Sequence, residues 1–183
     1  HLLRPLAYKV HPYQWPTIGK ELSHIANATL EEVKEFFFRY YAPNNAGLAV
    51  TGNISFEETV MLTEKWFGAI PRRDVPVRQL PQEPLQTEGR RMTVERNVPL
   101  DSLFMAYHMC DRLHPDYYAF DILSDILSNG RSSRLNQHLV QDKQIFSSID
   151  AYIAGSVDAG LFHIAGKPAA GVSLEEAENA VRR

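Results

Sequence analysis

Cysteine is all but missing: Cys110 stands alone, which excludes an internal disulfide and a cysteine-rich zinc knuckle and is compatible with any compartment. Positive charge is not in excess either. The net charge is -3 and the pI near 6.2, and arginines gather only as the pairs Arg72-Arg73, Arg90-Arg91 and Arg182-Arg183. That is no electrostatic footprint for nucleic acid, and each pair reads as solvated surface. No apolar run approaches the roughly 18 to 20 residues that cross a bilayer, so a soluble piece is expected. An initiator methionine is lacking as well. The chain opens at His1 and closes on Arg182-Arg183 within a helix opened by Ser173 and Glu176. Both ends are therefore expected to be cuts in a longer polypeptide, and the missing signal peptide carries no message about export.

The chemical signatures of common active sites are lacking too. A helical metallopeptidase motif needs two histidines one turn apart and a carboxylate to take a proton from bound water. Four residues after His1, His11, His24, His108, His114, His138 and His163 stand Pro5, Trp15, Ala28, Arg112, Tyr118, Asp142 and Lys167. Neither H-E-x-x-H nor H-x-x-E-H is present. The densest ligand-type cluster is His108, Cys110, Asp111 and His114, without the paired spacings of known zinc sites; it reads more simply as the end of a strand and the loop after it. His163 lies on an apolar strand, as an outward-facing or hydrogen-bonded histidine, and His138, Gln141 and Asp142 lie on a helix surface. The run Gly130-Arg131-Ser132-Ser133-Arg134 is not G-x-S-x-G, and helix capping accounts for its serines. No phosphate loop of the form G-x-x-x-x-G-K-[ST] occurs. The pairs Glu31-Glu32, Glu57-Glu58 and Glu175-Glu176 fall in first helical turns, where they complement the helix dipole.

What is present is ordinary globular material, 44% apolar and 22% charged, with clear local punctuation between residues 28 and 68. Thr29 and Glu32 have capping-box spacing, repeated by Ser55 and Glu58. The first helix runs to Pro43, which forbids continuation; a turn at Asn44-Asn45 leads into a short apolar strand over 47–51, expected to be central. The second helix ends at Gly68, a residue suited to a C-terminal cap. Residues 1–20, interrupted by Pro5, Pro12 and Pro16, are expected to be irregular, and 22–28 to form a helical turn.

Residues 71–89 carry Pro71, Pro76, Pro81 and Pro84 and show no period of 2 or 3.6, the mark of a semi-rigid interdomain linker. Beyond it, 91–96 and 102–109 alternate as strands. A helix follows to Ser128, with Pro115 in its first turn, then a helix from Ser132 or Ser133 to about Lys143. Strands at 146–153 and 159–165 form an antiparallel hairpin, and the last helix starts at Ser173. Strands joined this closely leave no room for crossover helices, so the expected class is α+β, with helices layered on a largely antiparallel sheet.

These residues carry a resemblance. HPYQWPTIG at 11–19, ATLEEVKEFFFRYYAPNNAGLAVTGNIS at 28–55 and KWFGAIP at 65–71 resemble the later part of the catalytic-type domain of the pitrilysin/insulinase zinc peptidases, the inverzincins. PLDSLFMAYHM, YYAFDILSDILSNGRSSRLNQHLVQDKQIFSSIDAYI and DAGLFHIAGKPAAGVSLEEAENAV resemble the start of the second, homologous domain. The likeness covers essentially the whole chain.

It implies half-domains of the LuxS metalloenzyme and processing-peptidase type: 1–72 ending a catalytic-type domain, 73–89 a proline-rich linker, and 90–183 beginning the second, non-metal-binding domain. It also implies zinc for the parent protein, held by H-x-x-E-H and a downstream glutamate at positions that would precede His1. No catalytic, cofactor-binding or metal residue is therefore assigned in this chain. Implied partners are a peptide or unfolded protein as substrate of the parent, and the remaining half-domains or a homologous subunit, with no nucleic acid and no membrane span. In one place the chain departs from the family. Active members often carry an arginine and, seven residues later, a tyrosine that steady the substrate carbonyl; aligning on Leu139 and Ile145 puts Val140 and Ser147 there. Two expectations follow, a fragment of a zinc endopeptidase that contributes to the substrate chamber, or an inactive structural or chaperone-like homologue or partner subunit.

Overall fold

The structure is a computed structural model that describes residues 2–183; His1, with the expectations attached to it, lies outside the described residues. The chain divides into two compact units, one made of the N-terminal stretch to Trp15 together with Gln82–Arg183, the other of Pro16–Pro81. Helices and a small antiparallel sheet make the architecture α+β.

The first unit is built on three strands, β1 (Leu103–His108), β2 (Phe146–Ala154) and β3 (Leu161–Pro168), in the order β1-β3-β2. Both pairings are antiparallel, with Met105 opposite Ile164 and Ile164 opposite Ala151. Successive side chains of a strand point to opposite faces, so Met105, Ile164 and Ala151 share one face. Helices α5 (Tyr117–Ser128) and α6 (Leu174–Val181) and a π-helix (Asn136–Asp142) pack on the sheet. The core is Met105, Leu139, Phe146, Ile149, Phe162, Ile164 and Ala177, with Phe146 only 2% exposed. The Phe146 ring occupies the space over Gly166, where an added Cβ would sit 2.6 Å from it. Glycine at 166 is thus a packing requirement.

The expected hairpin is present, with β3 starting at Leu161. The helix expected from Ser132 or Ser133 differs in kind, because residues 136–142 take π geometry and the chain leaves it through Gln144 at φ 53°, a left-handed position for a non-glycine residue. Ser133 does not cap it by accepting an amide; its hydroxyl donates to the Gly130 carbonyl at 2.7 Å. Residues 91–96 form no strand. Arg91 turns aside to pair with Glu178 of α6, and the alternation of Met92 and Val94 finds no ladder partner.

Residues 2–15 are more ordered than their prolines suggest. Helix α1 (Leu3–Ala7) is followed by a 3₁₀ turn, Pro12–Gln14, in which proline at the start forgoes an amide that would have no partner anyway. This strap lies against β1. It is fastened by residues from far along the chain: both Glu83 carboxylate oxygens accept from the amides of Lys9, Val10 and His11 at 2.7 to 2.8 Å, and Arg90 donates to the carbonyls of Leu6 and Ala7.

The second unit holds α2 (Leu22–Ala26), α3 (Leu30–Tyr40) and α4 (Phe56–Phe67). The Thr29/Glu32 capping box is complete in both directions, and Ser55 accepts from Glu58 N at 3.1 Å. The Thr29 amide and hydroxyl, both donating to the Glu32 carboxylate, favour its ionised form and hold it below the usual range. Gly68 follows α4 in right-handed geometry, φ -60°, so it is not the left-handed cap that glycine usually supplies. Arg73 is no solvated bystander. Its guanidinium donates to the carbonyls of Phe38 and Tyr41 at the end of α3 and lies 4.8 Å over the Phe38 ring, while its backbone exchanges hydrogen bonds with the Asn44 side chain.

The strand expected at 47–51 is extended but unpaired among the described residues. A strand exists only through a hydrogen-bonded neighbour, and this unit offers none. Its apolar residues are left facing outward: Phe36, Phe37 and Phe38 on α3, Leu48 and Val50 on the extended stretch, and Trp66 on α4. Ala42 is the one buried residue of this unit among those described.

Candidate functional site

The helices cover one face of the sheet. The other is covered only in part, where α1 brings Ala7 and Tyr8 over Ala106 and Leu161. The uncovered part presents Phe104 of β1 and Tyr152 of β2, with His163 of β3 between Ala106 and Tyr152 in register. His163 and Tyr152 stack with ring centroids 5.0 Å apart and planes 17° from parallel. Burial, with Arg4 in the neighbourhood, pushes the imidazole of His163 below the usual histidine range. This aromatic sheet face, which also carries the exposed Asp150 of β2 opposite Ala165, is the candidate contact surface of the unit.

One end of that face is closed by the strap. Tyr8 donates to the Ala159 carbonyl at 2.9 Å, the Tyr13 hydroxyl accepts from Asp158 N at 3.3 Å, and His11 Nε2 lies 3.4 Å from Asp158 Oδ2. Tyr8 also stacks on His108, whose Nε2 is 3.1 Å from the Ala7 carbonyl. Burial, reinforced by Tyr13, pushes the Tyr8 phenol up to about 12. Glu83 is shifted the other way. Burial raises it, yet the three amides it receives outweigh that and lower it.

The ligand-type cluster does not converge. His108 is engaged with Ala7, Cys110 packs half-buried beside the core, Asp111 accepts from Leu113 N and His114 Nδ1 from Asp116 N. Burial and the neighbouring Asp111 and Asp116 push the Cys110 thiol up, away from the thiolate a metal would need. His138 lies 3.6 Å from Asp142 on an exposed helix face. No group of three or more His, Cys, Asp or Glu residues among those described is placed to hold a metal ion.

Val140 and Ser147 sit where the structure is least regular. Val140 lies within the π-helix and packs against the core, offering no donor. Ser147 is exposed at a bulge in the pairing of β2 with β3, and its hydroxyl donates to the Lys167 carbonyl at 3.0 Å. Residues that sequence reasoning passed over do more of the work here. Glu83, Arg90 and Arg73 are charged side chains that grip backbone groups 32 to 84 positions away, and no local pattern announces such partners.

A shallow cleft of about 470 Å³ between the end of the π-helix and α6 is lined by Lys143, Ile145, Ser173, Glu176, Asn179 and Arg183. Its charges are of both signs. No helix among the described residues is long and apolar enough to cross a membrane.

Comparison with known proteins places this geometry. The zinc protease PqqE of Helicobacter pylori is 33% identical over 159 residues, covering 85% of this chain and 36% of that protein. The probable mitochondrial-processing peptidase subunit beta of Schizosaccharomyces pombe is 25% identical over 173 residues, 88% of this chain and 38% of the other. The crystal structure of a protease from Helicobacter pylori superposes with a TM-score of 0.84 at 29% identity, over 98% of this chain and 44% of that one. The chain thus spans well under half the length of each. A family model described as the peptidase M16 inactive domain matches residues 27–183, and the chain belongs to that family.

Proposed function

We propose that this chain is part of a longer zinc metalloendopeptidase, in which it contributes to the wall of the substrate chamber and leaves metal chemistry to segments outside it. The observation that carries this reading is the match of residues 27–183 to an inactive peptidase domain, in a chain whose histidines lack zinc-motif spacing. Zinc is expected in the parent, held by an H-x-x-E-H motif and a glutamate elsewhere in the polypeptide. The division into 1–72, a linker at 73–89, and 90–183 belongs to the same proposal.

The substrate of the parent is a peptide or unfolded protein, and the aromatic sheet face around Phe104, Tyr152 and His163 suits contact with an extended chain. The partners of this chain are the remaining half-domains, or a homologous subunit. The outward apolar residues of α3, α4 and 47–51 support that, because contiguous apolar surface of this kind marks an interface.

A second reading is favoured by one observation. Val140 and Ser147 stand where a carbonyl-steadying arginine and tyrosine are expected, and neither supplies an equivalent donor. That suits an inactive structural or chaperone-like homologue, or the non-catalytic subunit of a processing-peptidase-type pair. Metal analysis and peptide cleavage with and without a chelator, on the intact protein and on the 183-residue chain, separate the readings. The first expects one zinc per intact protein and chelator-sensitive cleavage, with neither in the chain alone. An intact protein without zinc or cleavage supports the second, and tight zinc in the chain alone overturns both.

A further inference from the structure

Helix α5 passes at its C-terminal end into Asn129 and Gly130, both exposed, and this junction differs from every other asparagine of the described chain. After Asn27, Asn44, Asn45, Asn53, Asn97 and Asn136 the following amide already donates, to the carbonyls of Ile25, Ala42, Pro43, Gly52, Arg96 and Ser133 respectively. After Asn179 it lies within α6. The Gly130 amide alone makes no hydrogen bond among the described residues. Gly130 also sits at φ 85° with open space where a Cβ would stand, so no side chain shields its nitrogen.

We propose that the Asn129-Gly130 junction is a self-modification site, at which the asparagine is converted to aspartate and isoaspartate at a rate set by Asp125. The Gly130 nitrogen attacks the side-chain carbonyl carbon of Asn129. An N–Cγ bond forms, the Cγ–Nδ2 bond breaks, and ammonia leaves with the proton that the Gly130 amide gives up. The product is a five-membered succinimide. Water, the only co-reactant, opens it at one carbonyl or the other, leaving aspartate or, with the backbone routed through the former side chain, isoaspartate. The reaction has no part in the peptidase reading and does not depend on it.

The folded state restrains this step in two ways. With ψ 102° at Asn129 the Gly130 nitrogen is turned away from the Asn129 Cβ, whereas ring closure needs the two side by side. Asn129 Nδ2 donates to Asp125 Oδ1 at 3.1 Å, which holds the side chain back over the last turn of α5. Release requires only the fraying to which helix ends are prone, because the pin between α5 and β2 lies one residue earlier, where the Ser128 hydroxyl donates to the Ala151 carbonyl at 2.8 Å. The products do not restore what is lost. A carboxylate at 129 replaces the donor facing Asp125 by a like charge and sets it at the negative end of the helix dipole. Isoaspartate also inserts a backbone atom ahead of Gly130, whose carbonyl receives both the amide and the hydroxyl of Ser133, so the turn into the π-helix is disturbed.

The test is mass-spectrometric peptide mapping of the 183-residue chain held at pH 8 for weeks, with isoaspartate scored by methyltransferase labelling. Conversion at Asn129 is expected to be at least about tenfold faster than at Asn53 or Asn97, each followed by a β-branched residue whose amide is engaged. Asp125→Ala, at an exposed position, is expected to quicken it about fivefold, and Asp125→Asn, which keeps an acceptor for Nδ2, to leave it near the unsubstituted rate. In concentrated urea all three proteins should react alike, and the unsubstituted chain faster than when folded. An Asn129 that stays intact, or reacts no faster than Asn53, overturns the proposal. So does an Asp125→Ala rate equal to the unsubstituted one in the folded chain, or a difference between them that survives in urea. Should Asp125→Ala fail to fold, the unsubstituted chain decides: a folded rate equal to that in urea overturns the restraint.

Discussion

The two units of this chain invert the usual relation between legible sequence and finished structure. Residues 16–81 have the cleaner punctuation: a complete capping box at Thr29 and Glu32, a serine cap at Ser55, and prolines where helices stop. Yet Trp66 is 67% exposed and only Ala42 is buried. The other unit has weaker punctuation, a π-helix, a bulge and a left-handed Gln144, but it encloses Phe146, Ile149, Phe162 and Ile164 around Gly166. Local signals decide where helices begin and end. Whether their apolar faces are covered depends on residues distant in sequence, and most helical stability comes from that cover.

The contrast can be pressed by substitution. Phe146→Ala empties the centre of the closed core and is expected to cost about 3–5 kcal/mol in chemical denaturation. Trp66→Ala in the open unit is expected to cost under about 1 kcal/mol, since little burial is lost. Comparable losses would erase the distinction between the units. Gly166→Ala drives a methyl into the Phe146 ring and is expected to cost about 1–3 kcal/mol by the same measurement.

Glu83→Gln tests the strap. Replacing a carboxylate that receives three amides is expected to cost about 1–3 kcal/mol at pH 7. Because the folded-state acidity of Glu83 is shifted downward, its contribution is present above the unfolded glutamate range and is lost as pH falls through the lower folded value. The difference between the two proteins should therefore shrink in strong acid; a gap that stays constant would place the effect in packing. His163 works on a neighbouring window. Its folded form favours the neutral ring, so stability declines as pH falls below the ordinary histidine range, and His163→Gln should flatten that decline in thermal denaturation.

One substitution is expected to act with the opposite sign. Gln144→Gly removes a side chain from left-handed backbone and is expected to raise stability by about 1 kcal/mol.

The α+β class, the helices from Thr29 and Ser55 and the hairpin of β2 and β3 were legible in the sequence because they rest on caps and alternation, and the family because its pattern runs through essentially the whole chain. The misses share a cause. Residues 47–51 are apolar and 91–96 alternate, as strands do, but neither pattern names a partner, and neither stretch forms a strand among the described residues. Arg73 and Arg90 read as solvated charge and Glu83 carries no signal of its own, since nothing near them announces the carbonyls and amides they reach. The conversion of 136–142 to π geometry leaves no residue-type signal at all. The open sheet face emerges only once β1, β3 and the strap are brought together.

The central claim is that residues 16–81 are locally well-formed helices without a core of their own, beside a unit that has one. Amide hydrogen exchange of the 183-residue chain at pH 7 tests it residue by residue. The expected result is that Met105, Ile149 and Ile164 exchange only by global unfolding, while the amides of α3 and α4 exchange at least about a hundredfold faster through local opening. Equal protection in the two units, lost together in one transition, would contradict it.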